Sequence, residues 1–407
     1  MTLIVQKYGG TSVGSIDLIR AVAGKVAAQR ARGTSVVVVV SAMGDHTDRL
    51  VDLAKELCEE PEPREMDVLL ATGEQVSIAL LAMALNARGC RARSYTGAQV
   101  RVLTSAAPAK ARILGIDTER LERDLDAGIV PVIAGFQGVS EQGDITTIGR
   151  GGSDTTAVAL AVALKADECQ ILTDVDGVYT TDPRMVPDAR RIERISYEEM
   201  LELAGQGARV VHLRAVEFGA KYNLPIRVLS SFSPGTGTLI CREDEHLEAP
   251  VVAGIAFNRD EAELTVTGLP DSPGSAVGVL KPVSEAAIEV DMIVLNAPRG
   301  GQVDLSFTVH RDDFAAALRL ARAAAAKHAG AQVTGNDRVA KLSVVGVGMR
   351  SHAGVATRLF ETLARDGTHV RMITTSEIRI SVLVEEAALE RSVRSLHAAF
   401  ALAQPKN

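Results

Sequence analysis

Residues Val36 to Val40 are five consecutive valines. No polar side chain alternates through them, so the strand they form is covered on both faces, as in the parallel sheet of an α/β layer fold. The sequence around them repeats that theme. Leu3 to Gln6 is a short β run, followed by a glycine-rich loop from Tyr8 to Gly14. Ser15 can cap a helix whose Ile16, Ile19, Val22 and Val26 share one face. Helices are expected near Asp48 to Leu57 and Glu74 to Arg88. Ile129 to Ala134, Gln170 to Thr173 and, as the last, Ile226 to Ser230 read as further buried strands. The alternation predicts an α/β sandwich with helices on both faces and ligands beyond the C-terminal ends of the strands.

A chain of 407 residues, 46% hydrophobic, has room for two to three packed domains. A net charge of −7 excludes a general nucleic-acid surface, so an anionic ligand needs a local cluster of cations and helix ends. The four cysteines, Cys58, Cys90, Cys169 and Cys241, form no CxxC pair and read as reduced thiols rather than disulfides or metal ligands. The chain enters a strand at Leu3 with no signal peptide. The apolar tract from Val36 to Val40 is too short for a membrane. The expectation is a cytoplasmic protein with neither nucleic acid nor membrane as partner.

Four segments carry polar chemistry. Gly149-Arg150-Gly151-Gly152-Ser153-Asp154 follows an extended run, Ile145 to Ile148, and opens an apolar helix from Thr155 to Leu164. Adjacent glycines let backbone approach a ligand, Ser153 and Asp154 suit an N-cap, and Arg150 adds a fork-shaped cation. This is an anion site or an ordinary glycine turn. No Lys-Ser/Thr pair closes it as a Walker loop. Lys7 ends the first strand beside Gly9, Gly10 and Ser12, placed either to bridge phosphates or to snorkel at the surface. Ser41-Ala42-Met43-Gly44 ends the second strand, with Thr47 after it; these hydroxyls bind a small substrate or cap a helix. Thr72-Gly73-Glu74 is expected to open a helix, where the dipole alone accounts for Glu74. Finally, the polar loop from Thr173 to Arg184 contains Asp174, Tyr179, Asp182 and Arg184, suited to a magnesium nucleotide or simply to solvent.

The last third of the chain is duplicated. Gly274 and Gly354, Ala276 and Ala356, Val290 and Val370, and Met292 and Met372 all share one offset of 80 residues. Each copy reads strand–helix–strand–strand–helix, with a final strand after the first copy only. Val251 to Phe257 is expected to complete the second sheet.

Taken together, the segments resemble the aspartate kinases of the amino acid kinase superfamily: Lys-Tyr-Gly-Gly-Thr-Ser, Ser-Ala-Met-Gly with Thr47, Thr-Gly-Glu, Gly-Arg-Gly-Gly-Ser-Asp and the Thr-Asp-Val to Asp-Pro-Arg loop. The duplicated tail, with Thr375-Ser376-Glu377-Ile378-Arg379-Ile380-Ser381, resembles the family's paired ACT domains. The resemblance implies a catalytic αβα sandwich with a mostly parallel sheet over 1–245. Two ferredoxin-like α+β ACT domains follow at 246–335 and 336–407, with 251–257 contributing a strand to the second.

It further implies ATP- and Mg2+-dependent phosphorylation of the β-carboxylate of L-aspartate, the first step toward lysine, threonine and methionine. Lys7, Asp154 and Arg150 are then the catalytic set, with Ser41, Thr47, Glu74, Arg150 and Gly152 on the substrate. Gly9, Gly10 and Ser12 fall on the phosphates together with Lys7. Thr173, Asp174, Tyr179, Asp182, Arg184 and Arg209 fall on the nucleotide. Asp271, Gly274, Ala276, Asn296, Gly354, Val355, Thr375 and Glu377 fall on lysine or threonine effectors. A homodimer or homotetramer, or a hetero-oligomer with a short regulatory subunit resembling the tail, is implied as well.

Three positions depart from the family pattern. Arg209 replaces its usual nucleotide lysine, Pro282 falls inside the first tail helix, where a kink is expected, and Leu295 replaces a polar effector residue. Altered feedback inhibition is the expected result. Two other readings stand beside this one: a related acyl-phosphate-forming kinase acting on glutamate or acetylglutamate, and a non-catalytic amino-acid sensor.

Overall fold

A computed structural model describes residues 2–208, 210–243, 251–350 and 352–404. Arg209 lies outside the described residues. The chain divides into two compact units. One holds Met1–Val178, Arg191–Ala204 and Arg209–Glu245; the other holds Tyr179–Arg190, Gly205–Ala208 and His246–Asn407.

In the first unit the strands are β1 (Leu3–Tyr8), β2 (Ser35–Val40), β3 (Ala92–Tyr95), β4 (Val102–Thr104), β5 (Ile113–Ile116), β6 (Val130–Ala134), β7 (Gln137–Val139), β8 (Ile145–Thr147), β9 (Glu168–Thr173), β10 (Arg194–Ser196), β11 (Ile226–Ser230) and β12 (Thr238–Cys241). Eight of them form the main sheet in the order β10-β12-β11-β9-β1-β2-β6-β3. Every neighbouring pair is parallel except β11 with β12. All of Ser35–Val40 is buried, as an uninterrupted apolar run in a covered sheet requires. The expectation that Ile226–Ser230 is the last strand fails, because β12 follows it and returns antiparallel. The connection from β1 leads to β2 on one side while β9 lies on the other. This switch point opens a crevice at the carboxyl ends of these strands. A separate small sheet, β5-β4-β7-β8, carries the segment that leads into Gly149.

The helices of this unit are α1 (Ile16–Ala31), α2 (His46–Leu57), α3 (Pro63–Asn86), α4 (Glu119–Asp126), α5 (Gly152–Ala163), α6 (Tyr197–Gly205) and α7 (Leu213–Tyr222). Ser15 caps α1 by accepting a hydrogen bond from the Leu18 amide at 3.3 Å. Two boundaries differ from expectation. Helix α3 begins at Pro63 rather than Glu74, with proline in its first turn, so Thr72-Gly73-Glu74 sits mid-helix and not at a strand end. There Gly73 leaves room for Ala42, whose Cβ lies 2.8 Å from the position a Gly73 Cβ would take. At 24 residues α3 is long and apolar enough to cross a membrane by length and composition. It packs instead on α1, β3, β6 and β8 and carries buried Asp67 and Glu74, as a core helix does. Helix α5 begins at Gly152, three residues before the expected Thr155. Gly151 is its N-cap, and Ser153 and Asp154 therefore lie within the first turn instead of capping it.

The second unit is built on one six-stranded antiparallel sheet, β14-β15-β13-β16-β18-β17, from β13 (Gly254–Pro270), β14 (Val290–Leu295), β15 (Gln302–His310), β16 (Gln332–Val345), β17 (Val370–Thr375) and β18 (Arg379–Glu385). Helices α8 (Ser275–Glu285), α9 (Phe314–Ala325), α10 (Val355–Arg365) and α11 (Leu389–Ala399) complete it. The duplicated copies share this sheet rather than owning one each, because β13 and β16 are long enough to serve both. Gly254–Asn258 pairs with Lys341–Val345 in the second copy, while Glu263–Thr267 pairs with Gln332–Asn336 in the first. Pro282 sits within α8, as expected for a helix over Gly274 to Ala286, and α8 continues to Glu285. Ion pairs join the copies: Lys341 meets Glu261 at 3.2 Å and also Asp291, and Arg371 meets Glu263 at 2.6 Å.

Candidate active site

The crevice at the carboxyl ends of β1 and β2 holds a cavity of about 340 Å3. Lys7, Gly10, Ser41, Ala42, Gly44, Thr47, Glu74, Phe136, Arg150, Gly151, Gly152, Ser153 and Asp154 line it, so residues spread over 148 positions meet in one place. Three chain features bring them there. The two strand ends deliver Lys7 and Ser41, the long α3 delivers Glu74 from below, and the start of α5 delivers the glycine loop.

Lys7 Nζ lies 2.7 Å from Asp154 Oδ1, with both side chains about nine-tenths buried. At this distance the ammonium and the carboxylate make a charge-assisted contact. Asp154 Oδ2 accepts from the His212 main-chain N–H at 3.2 Å. The ammonium is thus held by a carboxylate that is itself anchored to the start of α7. Gly151 has φ +70°, and a Cβ there would lie 2.1 Å from the His212 ring, so this position demands glycine for both conformation and space. Burial pulls the His212 imidazole below its usual pKa, with Asp154 opposing, which favours the neutral ring. Arg150 is exposed and makes no ion pair or hydrogen bond among the described residues.

Glu74 is 3% exposed. Its Oε1 accepts from the Ala42 amide at 3.1 Å, while Oε2 is buried with no partner. Burial raises its pKa to about 7, against backbone hydrogen bonds that lower it. A half-satisfied carboxyl on the wall of a polar cavity suits a ligand that brings a donor, above all an ammonium.

Gly10 and Gly152 line the cavity, whereas Gly9 and Ser12 lie beside it. The Gly9 amide donates to Leu172 O at 3.2 Å. Ser12 is buried, with its hydroxyl 2.5 Å from that of Ser231. Thr173 ends β9, and its hydroxyl donates to Asp174 at 3.0 Å. Tyr179, Asp182 and Arg184 belong to the second unit, where Arg184 pairs with Asp182 at 2.8 Å and holds that carboxyl below its usual pKa. Also in that unit, Gly274 and Gly354 are the positive-φ N-caps of α8 and α10, followed by Ala276 and Val355 in the first turns. The Asp271 amide donates to Gly301 O, and the Asn296 amide to Asp304 O. Thr375 ends β17, with Glu377 just beyond. Among the described residues no cluster of three or more His, Cys, Asp or Glu side chains forms a metal cage.

Comparison with known proteins fits this geometry. Residues 2–230 match the model of the amino acid kinase family, and residues 342–400 match an ACT domain. An aspartate kinase of Stutzerimonas stutzeri is 59% identical over 406 residues, covering 100% of this chain and 98% of that protein. The chain belongs to the aspartate kinases. An aspartokinase of Mycobacterium tuberculosis is 46% identical over 407 residues, covering 99% of this chain and 97% of its own. The crystal structure of E. coli aspartokinase III in complex with aspartate and ADP superposes with a TM-score of 0.79 at 26% identity, covering 98% of this chain and 99% of that one. The fold of this aspartate kinase is therefore the mixed α/β sandwich plus ACT sheet expected from its motifs.

Sequence reasoning missed four residues around the site. Phe136, Asp67, Thr147 and Arg214 lie in no phosphate- or substrate-binding motif. The one available signal was an aspartate inside an apolar helical run, Met66 to Leu70.

Proposed function

We propose that this kinase transfers the γ-phosphoryl group of Mg-ATP to the β-carboxylate of L-aspartate, yielding 4-phospho-L-aspartate and ADP at the head of lysine, threonine and methionine synthesis. The observation that carries the proposal is one cavity lined by Lys7, Arg150 and the half-satisfied Glu74. An amino acid with two carboxylates and one ammonium matches that set. Arg150 holds a carboxylate by a two-pronged bond, and Glu74 accepts from the α-ammonium. Ser41 and Thr47 add hydroxyl contacts.

A carboxylate oxygen then attacks the γ-phosphorus while the bond to the β–γ bridging oxygen breaks, and ADP leaves with that electron pair. The nucleophile is already ionised at neutral pH, so no general base is required. The obstacle is repulsion between anions. Lys7, oriented by Asp154, neutralises charge on the transferring group, and backbone N–H groups at Gly10 and Gly152 with the dipole of α5 add to it. A magnesium ion bound with the nucleotide would supply charge that shields its phosphates. Thr173, Asp174, Tyr179, Asp182, Arg184 and Arg209 are assigned to the nucleotide from motif rather than from contact.

We assign 1–245 to catalysis and the copies at 246–335 and 336–407 to regulation. Lysine or threonine would sit at the helix starts Gly274 and Gly354 with Asp271, Ala276, Asn296, Val355, Thr375 and Glu377, in a dimeric or larger cytoplasmic assembly. Leu295, 53% exposed on β14, offers an effector no hydrogen bond, in keeping with weakened inhibition. The test is ADP release by purified protein with Mg-ATP. Release that depends on aspartate supports the reading, and equal release with glutamate or with no amino acid defeats it.

A further inference from the structure

We infer that Asp67 is a positioning residue that fixes the Arg150 loop relative to Glu74, so that α3 holds the guanidinium where the substrate carboxylate meets it. The inference rests on the reading of Arg150 as the substrate-carboxylate clamp.

Asp67 is fully buried. No lysine, arginine or histidine pairs with it among the described residues; its oxygens are held by neutral donors alone. Oδ1 accepts from the Thr147 hydroxyl at 2.6 Å and the Ala109 amide at 3.0 Å. Oδ2 accepts from the Thr147 amide at 3.0 Å and again from Ala109 at 3.1 Å. A buried carboxylate without a counter-charge is costly, so the structure keeps it for what its donors do.

Those donors are the frame of the Arg150 loop. Thr147 ends β8, three residues before Arg150. The Ala109 carbonyl lies 2.7 Å from where a Gly149 Cβ would stand, so this loop packs directly on Gly149. The Thr147 carbonyl in turn accepts from the Ala111 amide at 3.0 Å. From the other side the Arg214 guanidinium donates to Ile148 O at 2.8 Å and to Ala111 O at 3.2 Å. The exposed Arg150 side chain has no partner of its own, so its reach is set by this backbone.

Asp67 and Glu74 are seven residues apart on α3 and hence on one face of it. One rigid helix therefore carries the acceptor for the ammonium and the anchor for the loop that bears the guanidinium. Loosening the anchor lets the distance between the two recognition groups vary. A misplacement of about 1 Å in a substrate-positioning group costs up to about 100-fold in function.

The test uses the full-length enzyme with Asp67→Asn, Thr147→Val, Thr147→Ser and Arg150→Ala. Measured are KM for aspartate and for ATP, kcat and Tm. Asp67→Asn and Thr147→Val should raise aspartate KM about tenfold, with ATP KM changing less than about twofold. Thr147→Ser, which keeps the hydroxyl, should behave as the parent. Should Asp67→Asn not fold, Thr147→Val carries the same readout, because it leaves both amide donors on Asp67. If Arg150→Ala raises aspartate KM while Asp67→Asn and Thr147→Val do not, this inference fails and the site stands. An aspartate KM indifferent to Arg150→Ala overturns the clamp itself and the inference with it. A parallel rise in both KM values with loss of thermal stability marks Asp67 as scaffold only.

Discussion

If Glu74 accepts the α-ammonium as proposed, substrate binding should depend on pH in a range where aspartate itself does not titrate. Burial lifts its pKa from 4.5 to about 7, and its Oε2 has no partner until a donor arrives. Only the ionised form accepts a full charge-assisted bond from the α-ammonium. With a pKa of about 7, roughly 10% of the free enzyme is ionised at pH 6, roughly 50% at pH 7 and roughly 90% at pH 8. Aspartate KM should therefore fall about ninefold from pH 6 to pH 8, close to 1.3 kcal/mol. Binding at pH 7 should release about half a proton, readable by calorimetry in buffers of different ionisation enthalpy. Stability of the ligand-free enzyme moves the opposite way. A carboxyl whose folded pKa is raised contributes stability below its unfolded value of 4.5, and that contribution, on the order of 3 kcal/mol, is lost as pH rises through about 7. Glu74→Gln should flatten both profiles. A wild-type aspartate KM constant between pH 6 and pH 8, with no proton released on binding, would refute the argument.

Two further predictions concern the same cavity. Lys7→Ala leaves Asp154 without its 2.7 Å partner and should lower kcat by about 100-fold or more, with a much smaller change in ATP KM; near-normal turnover would remove Lys7 from the phosphoryl group. Gly151→Ala forces a φ of +70° on alanine and a Cβ 2.1 Å from the His212 ring, so activity should drop about 100-fold and Tm should fall. Adding His212→Gly, which removes both the ring and the Cβ 2.5 Å away, should recover part of the loss by relieving the clash but not the backbone strain.

The residues legible in the sequence were those at chain junctions. Lys7 and Ser41 end strands, Thr47 starts a helix, and Arg150, Gly152 and Asp154 surround a glycine turn, so local rules alone bring them to one edge of the sheet. The helix-start reading of Glu74 does not hold, and its site role rests on the Thr-Gly-Glu resemblance. Thr72-Gly73 resembles a helix start, yet the glycine is there because Ala42 crowds the middle of α3, and desolvation rather than the helix dipole governs the carboxyl. Asp67 was invisible because its partners, Ala109 and Thr147, lie 42 and 80 residues away, and no local pattern encodes that meeting. The shared sheet of the second unit was hidden in the same way. The repeat itself shows in the 80-residue offset, but that β13 and β16 each serve both copies depends on pairings between distant residues such as Gly254 and Val345. Pro282 lies in the last turn of α8 and does not end it. It leaves Gly278 O without its usual donor, yet α8 continues for three more residues, to Glu285.

Trapping the product tests the central claim most directly, that a cavity built from Lys7, Glu74 and Arg150 joins aspartate to the γ-phosphoryl group. With Mg-ATP, aspartate and hydroxylamine, the account predicts β-aspartyl hydroxamate in amounts equal to the ADP formed, and essentially none with glutamate. ATP cleavage without hydroxamate, or equal trapping from glutamate, would contradict it.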